Sequence, residues 1–181
     1  MGRLPEARAE GMSLVVSNTG PILHLHEADL LELLALCGEI HVPPAVRDEL
    51  MSLLPKGNRD LSEWIIVDSL TDGQKKGAKS LFRSNLVDLA EAEAIVLSRQ
   101  LNPKWFLTDD AKARVLAGTF GLEVHGTLGV VIWSAAVGHK QPAEAKEAIS
   151  RLTTTSLWIS DRVVNEAQRS LDALSLEEKN R

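Results

Sequence analysis

The stretch Leu14-Val15-Val16-Ser17-Asn18-Thr19-Gly20-Pro21-Ile22-Leu23 sets the reading of the whole chain. An apolar run gives way to small polar residues, meets Gly-Pro, and continues as an apolar pattern of helical spacing. That is the signature of a buried strand whose C-terminal end delivers Ser17 and Asn18 into a tight turn before a helix. In an open parallel α/β sheet, ligands bind beyond that end of the strands. Asn18 is therefore expected at one corner of a pocket.

Further strands are expected at Glu39–Val42, closed by Pro43-Pro44, at Trp64–Val67, at Trp105–Thr108 and at Leu122–His125. Helices fill the intervals. Pro21–Ala28 and Leu30–Leu36 form a pair that Gly38 stops, and Pro44 opens a helix to about Leu54. Pro55–Asn58 reads as a loop. Thr71 with Gln74, and Asp88 with Glu91, have capping-box spacing and open helices to about Phe82 and from Leu89 to Leu101. Asp109-Asp110 precede a helix to about Thr119, and Thr127 is the expected N-cap of a helix to Val137. Pro142–Leu152, an extended piece at Leu157–Ile159 and a helix from Ser160 or Asp161 to Leu174 follow, with a frayed charged tail from Glu177. This alternation argues for an α/β layered domain with a mostly parallel sheet. Residues 1–12 read as a flexible leader, and residues 13–175 as one domain with a helical extension from about 142.

The 181 residues and 44% hydrophobic content suit one domain with a proper core. A net charge of −5 and a pI of about 5.6 exclude a general basic nucleic-acid binder, so any such contact is expected to be local. Cys37 is the one cysteine, which excludes an intramolecular disulfide and the usual structural zinc sites. With no signal-peptide core and no apolar run near the roughly 20 residues of a membrane span, a cytoplasmic location and no membrane contact are expected. P-loop, G-x-G-x-x-G and G-x-S-x-G patterns are absent. Trp64, Trp105, Trp133 and Trp158 fall in apolar runs and are expected in the core.

The residues that carry chemistry are acids. Asp109-Asp110 end a buried strand. One aspartate suffices to cap the next helix, which leaves the other over. Glu93 stands roughly 40° from Leu97, on the edge of the stripe Ala90, Ala94, Leu97 and Leu101, whereas Glu91 lies nearly opposite and serves the cap. Glu49 has the same edge placement beside the stripe Val46, Leu50 and Leu53, and Asp48 faces away. Asn18 brings an amide oxygen. Clustered carboxylates repel one another unless a cation neutralises them, and oxygen donors with retained waters suit Mg²⁺ or Mn²⁺. Such an ion activates water for phosphodiester hydrolysis. Thr108, Lys112 and Arg114 are the expected substrate contacts, the first through its hydroxyl and the other two through phosphate.

Five segments in order resemble the PIN-domain superfamily, in a branch grouped with VapC-type toxins. They are Val15–Leu23, Val42-Pro43-Pro44-Ala45-Val46 through Glu49-Leu50, Ala90–Ile95, Leu107-Thr108-Asp109-Asp110 and His125–Val130. The resemblance implies a three-layer α/β/α fold with a five-stranded parallel sheet and a Mg²⁺- or Mn²⁺-dependent ribonuclease site. It also implies frequent homodimers. The family's acids fall on Asn18, Glu49, Glu93, and either Asp109 or Asp110. The first position is usually Asp in PIN nucleases, so Asn18 removes a negative charge and weakens the hold on a cation. The expected function is a metal-dependent endoribonuclease acting on RNA, as the toxin of a toxin–antitoxin pair. The alternatives are a weakened PIN domain that binds RNA or a protein without cutting, and a phosphatase. Against the phosphatase, that class carries an aspartate where this chain has Asn18.

Overall fold

The computed structural model describes residues 13–54 and 65–179, with side chains through residue 176. The expected leader, the Pro55–Asn58 loop and Trp64 lie outside them. Strand β1 (Leu14–Ser17) is fully buried from Val15 to Ser17, as a short apolar run covered on both faces should be. Helices α1 (Thr19–Glu27) and α2 (Glu32–Cys37) lead to β2 (Glu39–Val42). Gly38 makes that entry with φ +146, where a Cβ would lie 1.9 Å from the Ser13 carbonyl oxygen, so only glycine fits. Helix α3 (Pro44–Leu53) follows with proline in its first turn, then β3 (Ile65–Val67).

Helices α4 (Asp72–Arg83) and α5 (Leu89–Leu101) each open with the expected capping box, Thr71 with Gln74 and Asp88 with Glu91. Strand β4 (Trp105–Leu107), α6 (Ala111–Thr119), β5 (Val124–His125), α7 (Thr127–Ala136), α8 (Pro142–Leu152) and α9 (Asp161–Lys179) complete the chain.

All strand pairs are parallel, in the order β3-β2-β1-β4-β5. Ser17 stands opposite Leu107, so β1 and β4 end level with each other. From β1 the chain steps outward through β2 to β3, then returns to place β4 on the other side of β1. Right-handed crossovers put connections that run in opposite directions on opposite faces. Accordingly α2 packs on β2 and α5 packs on β1, with α4 and α6 beside α5. Helix α7 gathers α1, α2, α8 and α9 in the other layer. Helix α3 touches one helix of each layer, α1 and α5. The fold is the expected three-layer α/β/α sandwich, and its sheet is parallel throughout.

Some local expectations give way. Trp158 is 86% exposed rather than in the core, because in the extended connector its neighbour Ile159 takes the inward side. Leu53 is exposed, and Leu54 takes the inward place at the end of α3. The N-cap of α7 is Gly126, since the Thr127 side chain is engaged elsewhere. Helix α9 runs past Leu174 to Lys179.

Candidate active site

The strand order makes the gap between β1 and β4 the point where connections diverge to opposite faces, and in such sheets that is where a crevice opens at the strands' C-terminal ends. Asn18 and Thr108 leave the sheet there, and the Asn18 amide donates to the Leu107 carbonyl at 2.8 Å. Asn18 holds the N-cap position of α1 in extended geometry (φ −79, ψ 174), yet its side chain makes no capping bond. The residue is buried, and its Oδ1 has no hydrogen-bond partner among the described residues. A turn-stabilising asparagine would bond its own backbone, and the Asn18 side chain makes no such bond among the described residues. A buried oxygen acceptor left unmatched is costly unless something binds there.

Four carboxylates near this end each give one oxygen to the fold and keep the other without a hydrogen bond among the described residues. Glu49 accepts from the Thr19 hydroxyl, one residue beyond Asn18. Glu93 Oε2 accepts from the Ala45 amide at 3.1 Å and so satisfies a first-turn donor of α3, whose N-cap Pro43 offers no side-chain acceptor. Asp110 Oδ1 accepts from the Ala113 amide at 2.7 Å and caps α6. Glu91 Oε2 accepts from the Asp88 amide at 2.9 Å.

Glu91 is the acid that the sequence reading set aside. Its place opposite the apolar stripe points it away from the core, but α5 is enclosed on several sides and Glu91 is buried. Burial, opposed by the bond from the Asp88 amide and reinforced by the charges of Asp88, Asp110 and Glu49, pushes its carboxyl up to about 7. The signal was there to find: a second glutamate in Glu91-Ala92-Glu93, flanked by alanines too small to shield it.

Asp109 differs. Its Oδ2 meets His24 Nδ1 at 2.8 Å and accepts from the Thr127 hydroxyl at 2.5 Å, while Oδ1 accepts from the Thr127 amide at 2.7 Å. Burial favours its neutral form, yet the His24 and Thr127 bonds and the nearby imidazole outweigh burial and hold its carboxyl below the usual carboxylate range. Asp109 thus ties α1 to the start of α7. The clasp is tight, because a Cβ on Gly126 would sit 2.8 Å from Asp109 Oδ1 and 2.5 Å from Arg114 Nη2.

Thr108 is fully buried, and its hydroxyl accepts from the Asp110 amide at 3.3 Å. Arg114 is exposed but donates to the Thr108 carbonyl at 3.1 Å, and Lys112 stands in solvent. Asp48 pairs with Arg47 on the surface, as expected.

Among the described residues, no three His, Cys, Asp or Glu side chains form a metal cage. A hard cation that keeps several waters and takes only one or two carboxylates needs no such cage. An unmatched amide oxygen beside half-committed carboxylates suits that mode of binding. No helix of the described residues is long and apolar enough to cross a membrane. The family model described as DUF3368: PIN domain matches residues 14–173. No curated protein matches the sequence.

Proposed function

The chain belongs to the PIN-domain family, and from that membership and its acid-lined crevice we propose that it is a metal-dependent endoribonuclease. The single observation that carries the reading is the buried, unpartnered Asn18 Oδ1 at the β1/β4 switch point. PIN domains are a nuclease-type fold and generally use divalent metal ions.

The donors proposed for Mg²⁺ or Mn²⁺ are Asn18 Oδ1 and the uncommitted oxygens of Glu49, Glu91, Glu93 and Asp110. Such an ion, when bound, lowers the pKa of its water and steadies charge on the phosphoryl oxygens. Burial pushes the Glu91 carboxyl up to about 7, and a cation held beside it would draw it into the charged, ligating form. Asp109 fixes the crevice walls rather than touching substrate. Arg114, placed by the Thr108 carbonyl, and Lys112 stand on α6 to meet the RNA backbone.

PIN domains commonly bind partner proteins as well as RNA. The further parts of the proposal are a cytoplasmic toxin of a toxin–antitoxin pair, with its antitoxin and a second copy of itself as partners. A second reading, binding without cutting, draws support from Asn18 standing where the family usually has Asp and from the lack of a three-carboxylate cage among the described residues.

The test is calorimetric titration with Mn²⁺ alongside cleavage of a fluorescent RNA panel with and without Mg²⁺. Binding heat that vanishes in Glu91→Gln and Asp110→Asn, together with metal-dependent cleavage, is the expected result. No such heat in the unmodified chain removes the basis of the nuclease reading. Cleavage that appears only in Asn18→Asp selects the binding-only reading.

A further inference from the structure

In a molecule of net charge −5, α4 carries Lys75, Lys76, Lys79 and Arg83 against a single acid, Asp72. At about 100° per residue the four cations fall within an arc of roughly 100°, opposite the side that Ala78 and Leu81 turn to α5. All four are exposed. Arg47, Lys140 and Lys146 pair with Asp48, Glu32 and Asp172, whereas among the described residues no carboxylate pairs with these four, and no other exposed cations are gathered on one helix face in this way. Phe82 lies on the edge of the same face and is 47% exposed. Row and ring together are an electrostatic track with a stacking platform, the combination that binds single-stranded nucleic acid.

The track also points at the crevice. Gln74 bonds Gln100, and Gly77 stands beside Val96, so α4 runs antiparallel to α5. The Phe82–Arg83 end therefore lies next to the start of α5, where Glu91 and Glu93 sit. From Lys75 to Arg83 the face spans about 12 Å.

We propose that the outer face of α4 is the entry track for single-stranded RNA, with Lys75, Lys76, Lys79 and Arg83 on phosphates and Phe82 stacked on a base. This rests on the ribonuclease reading for its direction toward the acids. A purely solvated face gives no reason for four cations and an aromatic ring to gather on one side of a helix in a chain of net charge −5.

The test uses fluorescence anisotropy of a 5′-labelled, unstructured 20-nucleotide RNA in EDTA, where no cleavage occurs, with the full chain at several salt concentrations. Charge reversal in Lys75→Glu/Lys79→Glu is expected to weaken binding about tenfold at low salt and to flatten the log–log salt slope by about 1.4, or about 0.7 for each lost contact. Phe82→Ala is expected to weaken binding at least about fivefold with the slope unchanged. Arg162→Glu/Arg169→Glu, on α9, is the control and is expected to bind like the unmodified chain. Unchanged binding and slope in the α4 reversal overturns the track. So does equal competition by polyglutamate that is insensitive to Phe82→Ala, which marks a site for acidic protein instead. Mn²⁺-dependent cleavage measured in parallel separates the two ideas: cleavage unaffected by the reversal leaves the nuclease and removes the track. Track-dependent binding without cleavage does the opposite.

Discussion

Asp109 and Glu91 are both buried carboxylates near the same crevice, and their surroundings shift them in opposite directions from the ordinary carboxylate range. Asp109 receives three hydrogen bonds, uses both oxygens, and is held below the ordinary carboxylate range. Glu91 receives one bond, faces the charges of Asp88, Asp110 and Glu49, and is pushed up to about 7. Burial alone therefore does not fix whether a carboxyl is held charged or neutral. The number of donors supplied by the fold does: a satisfied carboxylate holds elements together, and an undersupplied one waits for a proton or a cation.

The largest effect should come from breaking the satisfied member. Asp109→Ala orphans the Thr127 amide and frees His24, and is expected to destabilise the fold by roughly 3 kcal/mol, read as a shift in urea midpoint at unchanged slope. A loss below about 1 kcal/mol would show that the clasp is not what joins α1 to α7. Gly126→Ala, which presses a methyl group against the same carboxylate, should cost about 1–3 kcal/mol and leave the Glu91 titration unmoved.

The undersupplied member is tested through pH. A carboxyl whose folded pKa lies above its unfolded value stabilises most below the unfolded pKa, and that contribution is lost as pH rises through the folded one. Glu91 should thus withdraw stability between about pH 4.5 and 7. Glu91→Gln, which keeps the acceptor for the Asp88 amide, is expected to be roughly 1–3 kcal/mol more stable than the parent above pH 7, with the gap closing below pH 5. Mn²⁺ should narrow the gap at high pH. Asp109 contributes in the opposite sense: its stabilisation is present above the unfolded pKa and fades as pH falls through its lowered folded value. Thermal melts from pH 3 to 8 on both variants separate the two limbs, and a flat difference for Glu91→Gln would refute the contrast. Smallest of all, Asp48→Asn, one residue from Glu49 but turned to solvent, should stay within about 0.5 kcal/mol at every pH.

Strands and helix starts were legible because their causes are local. The run Leu14–Ser17, the Pro43-Pro44 stop and the two capping boxes are read from neighbouring residues alone. The candidate acids were legible as residue types at strand and helix ends. Their division of labour was not, because it is set by partners far along the chain. Nothing near Asp109 announces Thr127 or His24, and nothing near Glu93 announces the Ala45 amide. Glu91 was misplaced because the helical stripe assumes one buried side, whereas α5 has neighbours on several. Trp158 was misplaced because composition cannot say which side of a connector looks outward.

The central position of β1 bears on how the protein is made. Its second partner, β4, begins only at Trp105, roughly halfway along the chain. Until the ribosome has delivered that segment, β1 has a bare edge, and the crevice lacks Asp109 and Asp110. The candidate site is therefore completed only in the second half of synthesis, whatever ligand it takes.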